Sequence, residues 1–515
     1  MITKVVTSGE MREIDRISID EIGIPASVLM NNAGKSVAEF VEKKFNNKAV
    51  TIFCGTGNNG GDGFTTAYYL SNKGIIPQIY LSGKTDKVSE TSRIFLNLCQ
   101  KLKLPIHEIN GQNVSSIKIQ DGGVIIDAIL GTGFEGIPSG IPLEFIKSVN
   151  KSDNTIVSID IPSGLSSNGE PPSGEFIRAD YTITIGLPKI SLVTYPCKPY
   201  CGELITEDIG FPAYLTSDEK LKVTLINDSL YRTFKFFNTL PDIHKGDKGH
   251  TLLIGGFTNM EGAAILTASA LFHTGTGLVT IATLKESREI IAGIVPESMT
   301  LSLPEDPDSP ELKELLKVKK LTSLIIGPGL GRTVYAEKLF RSVIKYLNHA
   351  EIKRVLIDGD GLFHLSNFLV NEKLPENIDF IITPHFMEAS RILKKEISTI
   401  KNNRLAACVE LALQTGCITV LKGPSSIISD GENSYINTTG NNGLATAGSG
   451  DVLSGIIGAL MNTDISPVEA AATGVFIHGL CADVYSESSI ASTMSASDIV
   501  NNIRTVIKLK SDTKE

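Results

Sequence analysis

The run Val50-Thr51-Ile52-Phe53-Cys54-Gly55-Thr56-Gly57-Asn58-Asn59-Gly60-Gly61-Asp62-Gly63 decides the fold. Its first five residues are apolar or β-branched without alternation, the pattern of a strand buried on both faces. The glycines that follow read as a tight turn into a helix, and Gly55-x-Gly57-x-x-Gly60 fits the spacing that lets a backbone approach a pyrophosphate. The design returns twice in this half. Val124 to Leu130 leads into Gly131-Thr132-Gly133-Phe134-Glu135-Gly136-Ile137, and Thr155 to Ile159 leads into Asp160-Ile161-Pro162-Ser163-Gly164. Ligands of a doubly wound sheet gather at the carboxyl ends of its strands, so these loops are expected to line one crevice. Tight turning without any ligand is the plain alternative for such glycines, and it stays open here.

Working outward, Thr7 to Glu10 predicts a capping box and a helix through about Asp20, and Pro25 starts a second helix towards Phe45. Further strands are predicted at Gln78 to Leu81 and Tyr181 to Ile185, with helices near Phe64 to Asn72, Lys87 to Leu102 and Leu143 to Val149. This alternation predicts a parallel sheet covered on both faces. It loosens between about Pro212 and Pro241, which places a boundary there and divides the chain into domains 1–218 and 219–515. Alternation resumes after Lys248, with strands at Thr251 to Ile254, Leu278 to Ala282, Ser323 to Ile326, Arg354 to Ile357, Phe380 to Ile382 and Ile418 to Leu421, and a small-residue helix from Gly262 to His273. A second α/β domain is expected. Asn32-Ala33-Gly34-Lys35-Ser36 has the ending of a P-loop, but Leu29 stands where that template needs glycine and the surroundings read as continuous helix.

Over 515 residues, 42% of them apolar, the chain can build more than one core. A net charge of −9 with no Lys/Arg block argues against general nucleic-acid or membrane-surface binding and leaves room for a local basic pocket. No apolar stretch is long enough to span a bilayer, so a soluble, cytoplasmic protein is expected. Seven scattered cysteines suit a reducing compartment, and the one close pair, Cys197 and Cys201, reads as two ordinary thiols.

Asn59, Asp127 and Ser163 each offer a hard oxygen at or beside a strand end, a set suited to a cation near a phosphate. Asp160 and Lys189 are acid/base candidates, with a structural ion pair or cap as the equal alternative. In the second half, Gly440-Asn441-Asn442-Gly443-Leu444-Ala445-Thr446-Ala447-Gly448-Ser449-Gly450-Asp451 precedes an apolar segment. Gly448-Ser449-Gly450-Asp451 opening a helix offers backbone amides to a phosphoryl group and a carboxylate to take a hydroxyl proton; simple capping is the alternative. Lys422-Gly423-Pro424-Ser425-Ser426 follows a strand and is placed to hold the ribose or phosphate of an adenine nucleotide. In Thr383-Pro384-His385-Phe386-Met387-Glu388, His385 can bond substrate or phosphate and Glu388 can help place Mg²⁺, unless the two merely cap a helix. Gly327-Pro328-Gly329-Leu330-Gly331 allows close backbone approach, and Lys245 and His250 are further phosphate candidates or solvated loop residues.

Along almost the whole chain these motifs resemble the bifunctional NAD(P)H-hydrate repair enzymes, an epimerase fused to an ADP-dependent dehydratase. Gly55 to Gly63, Gly131 to Ile137, Asp160 to Gly164 and Lys189 resemble the epimerase motifs. His244-Lys245-Gly246-Asp247, Gly255-Gly256, Gly262-Ala263-Ala264, Gly327 to Gly331, Thr383-Pro384-His385, Lys422-Gly423 and Asn441 to Asp451 resemble those of the dehydratase. The resemblance implies an N-terminal Rossmann-like doubly wound sheet and a C-terminal ribokinase-like α/β/α domain. It implies interchange of (R)- and (S)-NAD(P)HX and dehydration of the S epimer to NAD(P)H, ADP being consumed to AMP and phosphate.

By the same resemblance, Asn58, Asn59, Gly60, Gly61, Asp62, Gly131, Thr132, Gly133, Phe134, Glu135, Gly136, Ile137 and Asp160 bind the epimerase substrate, with Asp160 and Lys189 in catalysis. K⁺ is held by Asn59, Asp127 and Ser163. In the dehydratase, Ala263, Gly329, His385 and Asp451 bind substrate, with Asp451 as the catalytic base and Mg²⁺ beside it. Lys422, Gly423, Pro424, Ser425, Ser426, Asn441, Gly448, Ser449 and Gly450 bind the nucleotide. The implied partners are NADHX or NADPHX and ADP, with no nucleic acid and no membrane, and the chain is expected to be a homo-oligomer. The sequence departs from the family pattern at Phe386-Met387, where Pro-Gly is usual, at Asn442 (proline), Ala447 (glycine) and Ser449 (threonine). A competing reading is a small-alcohol or vitamin-precursor kinase with a non-catalytic ligand-binding N-terminal domain; Asn59, Asp62, Asp127, Asp160 and Lys189 together weigh against it.

Overall fold

A computed structural model describes residues 3–228, 230, 242–317, 320–348 and 350–512. The chain forms two compact units, one over 3–223 and one from Thr224 onward. Of the loosened stretch between Pro212 and Pro241, positions 229 and 231–241 lie outside the described residues.

In the first unit a short strand β1 (Thr3–Val5) is followed by the capping box at Thr7, whose hydroxyl accepts from the Glu10 amide while Glu10 accepts from the Thr7 amide. The helix Ser8–Arg16 then widens into a π-turn over Ile17–Glu21, and a second helix covers Ala26–Lys44. The P-loop lookalike at Asn32 to Ser36 lies inside this helix, as its pattern indicated. The sheet strands are β2 (Val50–Cys54), β3 (Gln78–Ser82), β4 (Ile106–Ile109), β5 (Val124–Ala128), β6 (Thr155–Ile159), β7 (Tyr181–Ile185) and β8 (Glu203–Glu207). All neighbours are parallel, in the order β4-β3-β2-β5-β6-β7-β8. Ile52 and Cys54 of β2 enter one core with Ile79, Leu81 and Ile126, while Phe53 enters the core on the other face with Tyr80, Ile125 and Phe145. Burial on both faces is what the unbroken apolar runs encode, each fully buried Ile or Phe contributing about 1.5–3 kcal/mol.

The second unit opens with β9 (Val223–Ile226), then β10 (His250–Ile254), β11 (Leu278–Thr283), β12 (Met299–Ser302), β13 (Ser323–Ile326), β14 (Arg354–Ile357), β15 (Asp379–Ile382), β16 (Ile418–Leu421), β17 (Ile427–Ser429) and β18 (Ser434–Asn437). Its sheet runs β9-β18-β17-β16-β15-β14-β13-β10-β11-β12, parallel from β16 to β12 and antiparallel for β16-β17 and β17-β18. Leu324 and Ile326 of β13 point into one core and Ile325 into the other, so this sheet too is covered on both faces.

Both sheets change winding direction once. Strands β3 and β4 extend one side of β2 and β5 begins the other; β11 and β12 extend one side of β10 and β13 begins the other. The loops leaving the carboxyl ends of β2 and β5, and of β10 and β13, therefore splay apart and leave a crevice, which is where open α/β sheets bind ligands.

Three expectations need correction. The helix after β2 begins at Asn58, not Phe64, so the glycine-rich segment is its first turns and not a loop before it. Strands β1, β4, β8, β9, β12, β17 and β18 were not anticipated, being short, polar or at an edge of the sheet. His250 is no loop residue: it opens β10, buried, with Nε2 2.8 Å from Thr280 Oγ1, at the amino end of a strand and away from either crevice. Cys197 and Cys201 pack in a small core, and all seven cysteines are free and buried, burial holding their thiols in the protonated form. Among the described residues no helix is long and apolar enough to cross a membrane.

Candidate functional site

The first crevice is a cleft of about 940 Å³ at the β2/β5 switch point. Asn58, Asn59 and Asp62 line it from the start of the helix Asn58–Asn72, Gly131, Thr132, Gly133 and Phe134 from the loop after β5, Asp160 from the end of β6, and Lys189 from the loop after β7. Gly60 and Gly61 lie behind this lining: a Cβ on Gly60 would collide with the Gly55 carbonyl, so glycine there sets how closely the helix docks on the turn. Glu135 and Ile137 are exposed at the rim, Glu135 3.9 Å from Arg12; Gly136 takes a positive φ in the same loop.

Lys189 is 1% exposed and forms an ion pair with Asp160, with further bonds to Thr184 Oγ1 (3.1 Å) and the Ile185 carbonyl (2.9 Å). Asp160 sits at φ +67, a left-handed conformation that costs a non-glycine residue energy and turns its carboxylate into the cleft. Asp62 and Asp15 face the same cation. Burial and then the neighbouring Asp160 push the Asp62 carboxyl well up, and the same causes push Asp15 up to about 6. The cleft thus holds a proton-bearing carboxyl beside an ion-paired carboxylate, the pair that acid/base chemistry needs. Asp15 was missed from sequence; its one signal is a charge next to Met11 and Ile14 on the buried face of its helix.

Asn59, Asp127 and Ser163 meet behind this cleft. Asn59 Nδ2 and Ser163 Oγ both donate to the Leu130 carbonyl, at 3.0 and 3.1 Å, and Ser163 and Ser158 bond the Asp127 carboxylate. Asn59 Oδ1 is buried without a partner, and Asp127, wholly buried with only neutral donors, is pushed up by desolvation. An orphaned amide oxygen beside an uncompensated buried carboxylate fits a hard monovalent or divalent cation.

The second crevice, at the β10/β13 switch point, is a shallower cleft of about 400 Å³ lined by Ala263, Gly329, Arg332, Asp360, Glu388 and Asp451 among others. Asp451 lies in the first turn of the helix Ser449–Leu460, whose start is set by Gly448 at φ +84. Its carboxyl is pushed up to about 7, by burial first and then by Asp358. Lys422, just past β16, places its ammonium 3.4 Å from where a Gly450 side chain would begin, so the helix amides and a part-buried cation converge beside Asp451. Asp358 Oδ1 accepts from Lys422 at 2.7 Å and from Thr383 at 2.6 Å, and Oδ2 from Ser454 at 2.7 Å. Burial alone would raise the Asp358 carboxyl, but Lys422 and the bonds from Thr383 and Ser454 together outweigh it and hold the group low, while burial of Lys422 is in turn outweighed by Asp358 and Glu388, which push its ammonium up. Asp358 was not read from sequence; ending a buried strand with Asp-Gly-Asp was the available signal.

Gly423, Pro424, Ser425 and Ser426 curl over this region, fixed by Arg404, which donates to the Pro424 and Ser425 carbonyls. Phe386 packs against Arg404 and closes on Gly423, so the departure at that position is a packing contact, whereas Met387 is exposed. His385 caps its helix through Nδ1, with Glu388 returning a bond to the His385 amide; burial pushes Glu388 up to about 7 and His385 down. Ser449 Oγ lies 3.1 Å from His478 Nε2. Asn441 spends its amide on Ala482, Asp483, Ser486 and Gly443, bracing the loop that leads to Gly448. No three Asp, Glu, His or Cys side chains form a metal cluster among the described residues. Glu388, Asp360 and Asp451 suit Mg²⁺ in its usual manner, carried mainly by nucleotide phosphates and water.

Comparison with known proteins follows the same division. Residues 26–191 match the family described as YjeF-related protein N-terminus, and residues 251–505 match that described as NAD(P)H-hydrate dehydratase. The bifunctional NAD(P)H-hydrate repair enzyme Nnr of Moorella thermoacetica is 33% identical over 98% of this chain and 96% of its own. That of Coxiella burnetii is 32% identical over 98% and 99%. The crystal structure of an ADP/ATP-dependent NAD(P)H-hydrate dehydratase from Bacillus subtilis is 26% identical over 55% of this chain and 97% of its own, with a TM-score of 0.48. Matched in both halves, in this order and over nearly its full length by full-length relatives, the chain belongs to the bifunctional NAD(P)H-hydrate repair enzymes.

Proposed function

We propose that the first unit interchanges (R)- and (S)-NAD(P)HX at Asp160 and that the second dehydrates the S epimer at Asp451 with ADP as co-substrate. The observation that carries the reading is the pairing of two switch-point clefts, each with an acid/base carboxylate in the field of an ion-paired lysine, Asp160 bound directly to Lys189 and Asp451 beside the Lys422–Asp358 pair.

In the hydrate, C6 of the nicotinamide ring bears a hydroxyl and is bonded to N1, a hemiaminal. Asp160, ion-paired with Lys189, takes the hydroxyl proton; Asp62, whose carboxyl burial pushes well up, gives a proton to N1; the C6–N1 bond breaks and the ring recloses on either face of the carbonyl. Asn59, Asp127 and Ser163 would hold K⁺, which supplies positive charge that orders the loops around the substrate pyrophosphate.

In the second cleft Asp451 takes the proton from the C6 hydroxyl of the S epimer as that oxygen attacks the terminal phosphorus of ADP, and AMP leaves. The amides of Ser449 and Gly450 with the Lys422 ammonium receive the charge on the transferring group, and Asp358 keeps that ammonium in place. Glu388 and Asp360 would face Mg²⁺, which neutralises phosphate charge. The C6 phosphate then leaves with its bonding electrons, a proton leaves C5, and the dihydropyridine is restored. A carboxyl ionising near 7 is matched to this task at neutral pH.

Ala263 and Gly329 give the substrate close approach, His385 caps the helix that brings Glu388 to the cleft, and Gly423 to Ser426 take the nucleotide. A reducing, cytoplasmic setting suits the seven free thiols. The test is to supply both epimers with Mg²⁺, K⁺ and ADP or ATP and to follow the return of dihydronicotinamide absorbance. Recovery from both epimers is expected; none with either nucleotide rejects the reading.

A further inference from the structure

The second cleft must take a dinucleotide carrying two or three phosphates, yet Asp360, Glu388 and Asp451 make its lining acidic. The part-buried cation beside it, Lys422, is committed to Asp358 and to the helix start beside Asp451. The cation left in the lining is Arg332, which follows the glycine turn after β13.

Arg332 is anchored by one nitrogen only. Its Nε donates to Asp360 Oδ1 at 2.7 Å, while Asp360 Oδ2 accepts from the Gly331 amide at 3.0 Å. Neither terminal amino group of Arg332 has a hydrogen-bond partner among the described residues. Its guanidinium carbon lies 5.0 Å from the centroid of the Phe363 ring, and that of Arg391 lies 5.1 Å from the same centroid. Arg391 makes no ion pair among the described residues, although its charge is felt by Glu388 in the cleft wall and by His385 at the start of the same helix. The ring quadrupole attracts each cation, but two cations sharing one ring repel each other until an anion joins them. A planar fork pinned at Nε with its outer nitrogens free is the geometry that grips a phosphate bidentately, and a lysine cannot reproduce it.

We propose that Arg332 and Arg391, held over Phe363 beside the Asp451 cleft, form the subsite for the phosphates of the dinucleotide hydrate, separate from the Lys422 and Gly448 to Gly450 region that takes ADP. The inference rests on the dehydratase reading of this cleft and adds to it the place of the substrate's anionic half.

The experiment compares wild type, Arg332→Gln, Arg332→Lys and Arg391→Gln with the purified S epimers of NADHX and NADPHX at saturating ADP, at low and high salt. Each Gln variant should raise KM for the hydrate about tenfold or more, the loss expected of a charged hydrogen bond, with kcat and the KM for ADP within about twofold of wild type. Arg332→Lys should recover only part of the loss, because charge returns without the fork. Equal losses with both hydrates assign the subsite to the pyrophosphate, and a loss confined to NADPHX assigns it to the 2′-phosphate. With wild-type turnover present, an unchanged hydrate KM in both Gln variants, a fall in kcat alone, or a rise in the KM for ADP instead overturns the proposal. Absence of wild-type turnover would strike the dehydratase reading itself.

Discussion

Asp160 carries its role through its surroundings more than through its own chemistry, being pinned to a lysine that burial isolates from water. Asp160→Asn should abolish use of the R epimer, lowering kcat/KM by roughly 10²–10⁴, while dehydration of the S epimer stays within about twofold. Coupled assays with each epimer alone distinguish these outcomes. Asp451 makes a pH prediction. As a base it must be ionised, so kcat/KM for the S epimer should climb as pH rises through about 7 and level above it. Stability should run the other way. In the unfolded chain this carboxyl ionises near about 4 and in the folded cleft at about 7, so between those values the folded protein holds a proton that the unfolded chain releases, and stability falls as pH rises across the window. Asp451→Asn should therefore abolish dehydration yet stabilise the fold above that window by roughly 1–2 kcal/mol, an advantage that vanishes below about pH 4; thermal melts at several pH values check it.

At the scale of the element, the helix Asn58–Asn72 shows how packing overrides propensity. Three glycines in its opening turns disfavour helix by about 1 kcal/mol each relative to alanine, yet the segment is helical because tight packing demands them, Gly60 on the Gly55 carbonyl, Gly61 on Met30 and Ser92, and Gly63 on Cys54 and Ala128. Gly60→Ala should cost about 3 kcal/mol or more in urea unfolding of the first unit, since the new methyl meets the Gly55 carbonyl. Buried parallel strands were legible because burial on both faces leaves unbroken apolar runs, as in Val50–Cys54, Thr155–Ile159 and Arg354–Ile357. Strands at an edge were not, since Glu203–Glu207 and Met299–Ser302 owe their conformation to a neighbour's backbone and only partly to their own side chains. Asp160, Lys189 and Asp451 stood out by their places at strand or helix ends. Asp15 and Asp358 did not, because what gathers carboxylates around one lysine is the folding of segments far apart in sequence.

At the scale of the molecule, each unit has its own sheet, cores and cleft, so a ligand specific to one cleft should stabilise that unit first. Mg²⁺ and ADP at about 100 times Kd should add about 2.7 kcal/mol to the unit from Thr224 onward and leave unfolding of the 3–223 unit unchanged when the two transitions are resolved by calorimetry or by proteolysis. A comparable shift of both would show that the units unfold as one.

The buried thiols supply a way to watch this. Cys54, Cys99, Cys197 and Cys201 belong to one unit and Cys408, Cys417 and Cys481 to the other, and none meets solvent in the folded state. An alkylating reagent added to the native protein thus becomes a slow recorder of spontaneous opening, marking each set of sulfurs at a pace set by how often its own unit breathes, so that two opening free energies are written into one mass spectrum.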